Sequence, residues 1–366
     1  MSDIVISGYH GFANSGDEAL LFAILSTLRS KKSDLDVTVL SKTPRETENV
    51  YRVKSIYRYN PFKIIKEMRK SSMLLFGGGS LLQDVTSSKS LFYYLIIISL
   101  AQRCGMKTML YANGLGPIRK KFNRYVATKI LNKVDIITLR DDKSDEELKS
   151  MGVSRPEITI TADPAFTLNA DVSLSGKYFT NMAGVPDGRK IGVVSIRQWK
   201  DSVAGFESEM ARLCDYMVEK HGIYPLFVPM QYPADLEISH SVMSKMKNDS
   251  YVINRELSVP EVFSVLSEAE VVVGMRLHSL IYATTLGIPA MALVYDPKVS
   301  AFMESINQPD CVNIENMTFD GASRIMTQII NEGDKRREEL HRTNEVLKKA
   351  AEKNADFAIE LLNRGK

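Results

Sequence analysis

The sequence predicts an α/β protein with two Rossmann-like, doubly wound domains facing a cleft. Three observations predict it: short apolar segments alternate with helix-like segments up to residue 161, a polar, glycine-rich stretch interrupts this alternation, and the alternation resumes at residue 191. Strands that alternate with helices are joined by right-handed crossovers and form parallel sheets. We therefore expect a first Rossmann-like domain over residues 1–170, a linker over 171–188 and a second Rossmann-like domain over 189–333.

Six segments in the first half predict strands, because each is short and rich in β-branched or large aliphatic residues. In chain order they are Ile4 to Ser7, Val37 to Leu40, Met73 to Phe76, Thr108 to Ala112, Ile136 to Leu139 and Ile158 to Thr161. The helix-like segments between them are Asp17 to Arg29, Pro61 to Lys70, Leu91 to Arg103, Arg124 to Lys133 and Lys143 to Met151. The most apolar run, Leu91 to Ala101, is shorter than the roughly 20 residues that span a bilayer, so it predicts a buried helix.

The second half repeats this order. Its candidate strands are Ile191 to Ser195, Leu226 to Val228, Tyr251 to Ile253, Val271 to Val273 and Ala290 to Val294. Its candidate helices are Phe206 to Lys220, Ala234 to Lys247, Pro260 to Ser267, Ser279 to Leu286 and Val299 to Ile306. The charged final stretch keeps apolar residues at helical spacing, so residues 334–366 are expected to form a helix that packs back on the first domain.

Composition places the chain among ordinary soluble globular proteins, since 44% of its 366 residues are hydrophobic and 25% are charged. Its three cysteines, Cys104, Cys214 and Cys311, form no disulfide or zinc pattern, which indicates a reducing cytoplasm. The first residues lack the basic region and cleavage site of a signal peptide, so none is expected. No His, Asp or Glu residues have metal-ligand spacing, and no metal is expected.

The net charge is only +3, but the basic residues are concentrated in two stretches of the first half, residues 52–70 and 117–133. Aromatic residues are interleaved with them. Surfaces of this kind contact anionic membranes, or they are simply solvated faces, and both interpretations stay open. No nucleic-acid partner is expected.

The most informative segment follows the strand at Val271 to Val273 and reads Gly-Met-Arg-Leu-His-Ser, residues 274–279. The glycine turns the chain and a helix follows, so Arg276 and His278 should lie at the carboxyl end of a strand, where open α/β sheets hold phosphorylated ligands. A guanidinium can bind a phosphate or carboxylate with paired hydrogen bonds, and an imidazole can move a proton near neutral pH. His278 is therefore the predicted catalytic residue. A capping histidine and a surface arginine are the structural alternative.

Three more polar residues follow strands of the second half: Arg197, Gln231 and Lys298. Together with Arg276 they are predicted to bind the substrate that supplies a transferred group, here called the donor. Several cations without matching acids favour a small, doubly anionic ligand. Asp296 could instead neutralise Lys298, which would make that pair structural.

Loops at strand ends of the first half supply the candidate acceptor-binding residues Asn14, Asp17, Asp84, Arg119 and Arg140. The first loop has glycines at positions 8, 11 and 16, which are expected to leave room for a ligand, but it matches neither a dinucleotide fingerprint nor a P-loop. Asn14, Asp17 and Asp84 are expected to bind sugar hydroxyls, while Arg119 is directed towards the cleft and Arg140 ends the fifth strand. Turn formation and helix capping explain the first loop about equally well.

Taken in order, these motifs resemble those of the polysaccharide pyruvyl transferases over nearly the whole chain. The resemblance rests on G-x-x-N-x-G-D-E-A at residues 11–19, GGGS at 77–80, N-G-L-G-P at 113–117, D-P-A-F at 163–166, S-I-R at 195–197 and G-M-R-L-H-S at 274–279. Each motif is short, and their common order is what makes the resemblance specific. Arg276 and His278 fall on the family's Arg-Leu-His motif, and Arg197 on its strand-end arginine.

The resemblance implies a fold like that of GT-B glycosyltransferases and transfer of the enolpyruvyl group of phosphoenolpyruvate with release of phosphate. The implied product is a 4,6-linked pyruvate ketal on N-acetylmannosamine in a lipid-linked precursor of a secondary cell wall polymer, on which S-layer proteins dock. No cofactor beyond the donor substrate is implied. We expect a cytoplasmic protein with peripheral contact to the anionic inner face of the cell membrane.

Two other functions fit the same residues. A nucleotide-sugar glycosyltransferase or epimerase of this architecture would also use a cationic second domain, and it would bind a uridine diphosphate sugar rather than phosphoenolpyruvate. A non-catalytic cell-wall assembly factor would keep its full biological activity when His278 is replaced by Ala.

Overall fold

The computed structural model describes residues 2–85, 87–169, 175–199 and 205–364, which form two α/β units. The first unit comprises Met1–Ala13, Asp17–Thr167 and Val346–Lys366, and the second comprises Asn14–Gly16 and Leu168–Glu345. Each unit is built on one parallel sheet, which confirms the predicted fold class.

The first unit has a seven-stranded sheet in the order β3-β2-β1-β4-β5-β6-β7. Its strands are β1 (Ile4–His10), β2 (Val37–Ser41), β3 (Lys54–Tyr57), β4 (Met73–Gly77), β5 (Lys107–Asn113), β6 (Ile136–Leu139) and β7 (Glu157–Ile160). The helices along this part of the chain are α1 (Ser15–Lys31), α2 (Pro44–Tyr51), α3 (Pro61–Met68), α4 (Ser88–Arg103), α5 (Lys121–Leu131) and α6 (Asp142–Met151), and a short 3-10 helix covers Pro164–Thr167. The strand order reverses between β1 and β4, which is where doubly wound sheets commonly hold ligands.

The apolar segment at residues 91–101 forms the middle of α4, a buried helix as predicted. Leu91, Tyr94, Leu95 and Ile98 are each at most 1% exposed and join the core on one face of the sheet. The helix begins where the Ser87 side chain accepts hydrogen bonds from the backbone N–H groups of residues 89 and 90. Among the helices of the described ranges, none is long and apolar enough to cross a membrane.

The second unit has a six-stranded sheet in the order β10-β9-β8-β11-β12-β13. Its strands are β8 (Lys190–Ser195), β9 (Ile223–Phe227), β10 (Tyr251–Val252), β11 (Ala269–Gly274), β12 (Ala290–Val294) and β13 (Cys311–Asn313). Its helices are α7 (Gly176–Met182), α8 (Phe206–His221), α9 (Leu236–Met243), α10 (Val259–Leu266), α11 (Leu277–Thr285), α12 (Pro297–Ser305) and α13 (Phe319–Asn331), and a short 3-10 helix covers Ile314–Asn316. Here the strand order reverses between β8 and β11.

The predicted linker at 171–188 contains a helix, α7, whose backbone packs against α10. Gly176 makes this approach close, because a Cβ at that position would lie 2.0 Å from the carbonyl oxygen of Ser264. Residues 171–174 of the predicted linker lie outside the described residues. Polar composition alone did not reveal this helix, since its apolar contacts are with another segment.

The last helix, α14 (Gly333–Asn363), belongs to the first unit from Val346 onward. Its apolar residues Ala355, Ala358, Leu361 and Leu362 join the core on the second face of the first sheet. A buried amide adds specificity to this packing, because the Asn354 side chain accepts from Thr161 Oγ1 at 2.8 Å and donates to the Ala162 carbonyl at 3.2 Å.

Candidate functional site

The second sheet places four predicted donor-binding residues beyond one edge. Arg197 follows β8, Gln231 follows β9, Arg276 follows β11, and Lys298 lies in the first turn of α12 after β12. Because β9, β8, β11 and β12 are consecutive, parallel neighbours, their carboxyl ends meet at the same edge of the sheet. The topology therefore gathers these segments on the side where open α/β sheets bind ligands.

Arg276 has a matching acid, which corrects the expectation of unpaired positive charge. Its Nε donates to Asp235 Oδ2 at 2.7 Å and its Nη2 to Asp235 Oδ1 at 2.6 Å, a two-point contact with a carboxylate whose side chain is only 2% exposed. Nη2 also donates to Gln231 Oε1 at 3.0 Å, and Asp235 accepts from the Gln231 backbone N–H. The described residues offer no hydrogen-bond partner to Nη1. Arg276 is therefore held in place through Nε and Nη2, and its Nη1 can donate hydrogen bonds to a ligand.

His278 lies in the first turn of α11, whose N-cap residue is Arg276. Its ring packs beside Gly16, where a Cβ would lie 2.2 Å from His278 Nδ1. The ring of Tyr282 is 6.1 Å from the imidazole, and the Tyr282 hydroxyl donates to the Ser15 carbonyl at 3.0 Å. The expectation that Gly16 leaves room for a ligand is therefore wrong: its missing side chain makes room for the histidine ring.

Arg197 is surrounded by aromatic rings. Its guanidinium carbon lies 5.7 Å from the ring centre of Trp199 and 5.6 Å from that of Tyr295. Lys298 Nζ lies 5.8 Å from the same Tyr295 ring and 3.8 Å from Asp296 Oδ2, so the anticipated partial neutralisation by Asp296 is present. Across the described residues Arg197 makes no ion pair, which leaves it as the less compensated of these two cations.

Asn14, predicted to bind the acceptor, groups with the second unit. Its side-chain oxygen accepts from the Gly16 N–H at 3.1 Å, and its backbone pairs with that of Gln231 in an isolated antiparallel bridge. The neighbouring Ser15 N–H donates to the Met230 carbonyl at 2.9 Å. Turn formation thus accounts for Asn14, and its amide side chain remains close to the donor-side residue Gln231.

Asp84 is better explained by structure than by sugar binding. It is 8% exposed, and its carboxylate accepts from the backbone N–H groups of Arg119 and Lys120 at 2.8 and 3.0 Å and from Asn123 Nδ2 at 2.8 Å. Burial raises the pKa of Asp84, but these donors outweigh it and the net pKa is lowered. The loop they fix carries the Arg119 side chain, which is exposed.

Arg140 is also held by a protein acid. Its Nη1 donates to Asp163 Oδ2 at 2.7 Å and its Nη2 to Ser80 Oγ at 2.8 Å, with the Arg140 side chain only 8% exposed. The pair joins the GGGS and D-P-A-F motifs, and Gly114 packs against it, because a Cβ there would lie 2.8 Å from Arg140 Nε. One buried ion pair and its contact with a serine therefore hold these two motifs together in the fold.

Asp17 lies in the first turn of α1, near the third glycine of the GGGS loop, where a Cβ on Gly79 would be 3.5 Å from Asp17 Oδ1. Its negative charge contributes to the raised pKa values of Tyr9 and Tyr94, for which burial is the largest cause. Asp17 therefore lies close to an aromatic cluster that the sequence did not single out as a site.

Sequence reasoning missed Asp235, Trp199 and Tyr295. The sequence pattern places Asp235 in a helix, and its position four residues after Gln231 is the signal that could have indicated a partner for a strand-end arginine. In the described parts of the chain no three His, Cys, Asp or Glu side chains cluster closely enough to hold a metal ion.

Comparison with known proteins identifies the family. The family described as polysaccharide pyruvyl transferase matches residues 14–297, well over half of the chain, including Arg197, Gln231, Arg276 and His278. The chain belongs to the polysaccharide pyruvyl transferase family. A distant relative of this family member is the amylovoran biosynthesis protein AmsJ of Erwinia amylovora, with 21% identity over 375 residues, covering 87% of this chain and 89% of AmsJ.

Solved structures that resemble this pyruvyl transferase family member share its fold at low identity. A putative UDP-N-acetylglucosamine 2-epimerase from Listeria monocytogenes has a TM-score of 0.69 at 12% identity, covering 98% of this chain and 96% of the other. HepE of Anabaena, solved in complex with UDP-glucose, has a TM-score of 0.65 at 10% identity, covering 99% of both chains. At such identities the likeness shows a GT-B-like fold alone.

Proposed function

We propose that the protein transfers the enolpyruvyl group of phosphoenolpyruvate to N-acetylmannosamine in a lipid-linked precursor of a secondary cell wall polymer. In this role it would act like the bacterial cell-surface anchoring enzyme CsaB, whose motifs its sequence resembles. The observation that carries the proposal is the arrangement at one edge of the second sheet, where the family's Arg-Leu-His motif joins a second strand-end arginine and a lysine. These groups suit a small donor with a phosphate and a carboxylate.

The reaction requires one proton transfer to carbon and two additions to carbon. A proton adds to the methylene carbon of phosphoenolpyruvate and creates an oxocarbenium-like centre at the neighbouring carbon. One sugar hydroxyl adds to that centre, phosphate leaves, and the second hydroxyl adds to close the ketal. Of the two hydroxyl protons, one balances the new methyl group and the other leaves with hydrogen phosphate, so no redox chemistry is needed.

We assign the proton transfers to His278, because an imidazole can act first as acid and then as base near neutral pH. Its ring is held by the close backbone of Gly16, which limits its motion and orients it. Arg197 and Lys298 are assigned to the donor's anionic groups, and Arg276 presents its Nη1 edge while Asp235 fixes the rest of the guanidinium. Gln231 acts through the same cluster, since its amide oxygen is held by Arg276.

Incubation of the purified protein with phosphoenolpyruvate and a mannosamine-containing disaccharide lipid tests the proposal. Mass spectrometry should show a pyruvyl addition to the saccharide, and one phosphate should appear for each ketal formed. Release of phosphate without a modified saccharide, or no reaction with either the wild type or the His278→Gln variant, contradicts the assignment.

A nucleotide-sugar enzyme is the second candidate, and one observation favours it. Trp199 and Tyr295 flank Arg197, and flat aromatic surfaces can stack a nucleobase, which phosphoenolpyruvate lacks. Calorimetry decides between the two: a saturable uridine diphosphate sugar signal that is lost in Trp199→Ala, without phosphoenolpyruvate binding, would favour this candidate.

We also propose peripheral membrane contact through the first unit, because a lipid-linked acceptor lies at a bilayer. The large side chains of Phe62, Phe122 and Tyr125 are 85%, 68% and 57% exposed and lie in or beside the two basic stretches. Fewer cations of the two basic stretches are available to a membrane than the sequence indicates, since Arg58 is buried and Arg124 is paired with Glu147 at 2.7 Å. The remaining exposed cations would each contribute about 1 kcal/mol at an anionic surface and weaken with salt.

Sedimentation with anionic liposomes at low and high salt tests this contact. Replacing Arg119, Lys120 and Lys121 by Gln should reduce binding at low salt and leave little difference at high salt. A charge-matched control replaces Lys220, Lys247 and Arg342, three exposed cations of the second unit, by Gln and should sediment like the wild type. Equal sedimentation of all three proteins assigns the basic stretches to ordinary solvated surface.

A further inference from the structure

An aromatic and cationic cluster lies at the carboxyl ends of β1, β2 and β3 in the first unit, where no site was expected. Tyr9 is the second-to-last residue of β1, Lys42 directly follows β2, and Tyr57 is the last residue of β3. Arg58 and Tyr59 come next in the chain. We call these five residues, with Phe12 and Tyr93, the aromatic platform.

Arg58 is the centre of this platform and is buried. It is 2% exposed, and its guanidinium carbon lies between 4.6 and 6.0 Å from the ring centres of Tyr9, Phe12, Tyr59, Tyr93 and Tyr94. Nη1 donates to the Gly8 carbonyl at 2.8 Å and Nη2 to the Tyr94 hydroxyl at 3.2 Å. Nε is buried with no hydrogen-bond partner in the described chain, and no carboxylate there pairs with the group.

This is an unusual way to bury a cation, because buried charges are normally paired. The ring faces supply part of the compensation through cation–π attraction. No carboxylate of the described residues pairs directly with this guanidinium, and an anionic group on a ligand would complement its charge.

The outer members of the platform are open to solvent. Tyr59 is 50% exposed and Tyr57 is 39% exposed, and their ring centres are 5.6 Å apart in an edge-to-face arrangement. Lys42 Nζ lies 5.4 and 5.7 Å from these two ring centres and 3.3 Å from the Tyr57 hydroxyl oxygen. The surface therefore combines flat apolar faces, phenol hydroxyls and an exposed cation within one patch.

We propose that the aromatic platform binds a saccharide bearing a phosphate-type anion, with a sugar ring stacked on Tyr59 and the anion near Lys42 and above Arg58. The C–H face of a pyranose packs on an aromatic ring, and phenol hydroxyls bond the ring's own hydroxyls. The cations favour a sugar linked to a phosphate or diphosphate over a neutral one. This inference rests on the proposed function, in which the acceptor is a saccharide carried by a lipid through such a linkage.

Calorimetry with two synthetic probes tests the platform without the donor. One probe is a mannosamine-containing disaccharide on a short alkyl diphosphate, and the other is the same disaccharide as a neutral methyl glycoside. Tyr59→Ala should weaken both probes about ten-fold, because the stacking face is lost from an exposed position. Lys42→Gln should weaken only the diphosphate probe, about five-fold, and should reduce its dependence on salt.

Tyr178 and Lys220 of the second unit supply the control, since both are exposed and neither lies in the platform or in the basic stretches. Tyr178→Ala and Lys220→Gln remove the same chemical groups and should leave both affinities unchanged. Wild-type protein that binds neither probe, or Tyr59→Ala protein that binds both like the wild type, overturns the inference.

The same variants separate this inference from the proposed function. If Tyr59→Ala transfers pyruvate with an unchanged KM for the diphosphate saccharide, the platform is wrong and the pyruvyl transferase activity stands. If the probes bind in a Tyr59-dependent manner but no pyruvyl addition occurs, the platform stands and the proposed reaction is wrong.

Discussion

Replacing Asp235 by Asn removes the charge that compensates Arg276 and should destabilise the second unit. The carboxylate accepts from Arg276 at 2.6 and 2.7 Å and from the Gln231 backbone N–H at 2.9 Å, while the two charged side chains are 2% and 11% exposed. Removing one partner of a buried ion pair typically costs 3–5 kcal/mol. Asn keeps one acceptor oxygen, so we expect about 3 kcal/mol, or roughly a hundred-fold change in the unfolding equilibrium.

The chain contains its own probe for this measurement. Trp199 is the single tryptophan of the sequence and packs against the core of the second unit, so its fluorescence during urea unfolding reports on that unit. Asp296→Asn is the matched control. Asp296 forms a long ion pair of 3.8 Å with exposed Lys298, and such a surface pair contributes about 0–1 kcal/mol to the free energy of unfolding. Asn also preserves the helix cap that Asp296 provides.

Unfolding of Asp235→Asn and Asp296→Asn at the same urea concentration would show that the Arg276–Asp235 pair does not stabilise the second unit. A double-mutant cycle with Arg276→Gln refines the result. If the pair is the cause, the double variant should be more stable than the sum of the two single losses predicts, because neither uncompensated charge remains.

Three further outcomes are expected. His278→Gln should lower turnover by about 10²–10⁴-fold while phosphoenolpyruvate binding, measured by calorimetry, is retained. Arg197→Ala should abolish saturable phosphoenolpyruvate binding, and Arg197→Lys should restore it only in part, because an ammonium lacks the bidentate geometry. His10 is fully buried, and burial, aided by Arg58, lowers its pKa to about 3. Below about pH 6.5 the His10 side chain binds a proton in the unfolded chain but not in the folded chain. The free energy of unfolding should therefore carry no penalty from His10 above pH 6.5 and should fall by about 1.4 kcal/mol per pH unit as the pH drops towards 3. Urea unfolding of the wild type and His10→Asn between pH 7 and 5 should show a shallower decline in the variant.

Each of these expectations has a clear contrary result. Near-normal turnover in His278→Gln removes that residue from proton transfer, and wild-type donor affinity in Arg197→Ala removes that arginine from the site. Parallel pH profiles for wild type and His10→Asn would show that His10 does not remain neutral in the folded protein.

Sequence alone was enough to predict the two parallel-sheet units, because the alternation of apolar strands with amphipathic helices is a local property of each segment. It also brought Arg197, Arg276 and Lys298 to one sheet edge, since parallel strands share a direction. It missed β3, whose four residues Lys54–Tyr57 are partly exposed and polar, and which forms only because β2 lies beside it.

Which charges are compensated depends on contacts that form only in the folded protein. Asp235 and Arg276 are 41 residues apart, Asp163 and Arg140 are 23 apart, and Arg58 reaches rings from three separate segments. The role of Gly16 also depends on the fold. The space left by its missing Cβ is filled by His278, which is far away in the chain, and not by a ligand. Composition and local spacing record the residue types a site needs, but electrostatic pairing acts over a few ångströms and depends on contacts between segments remote in sequence.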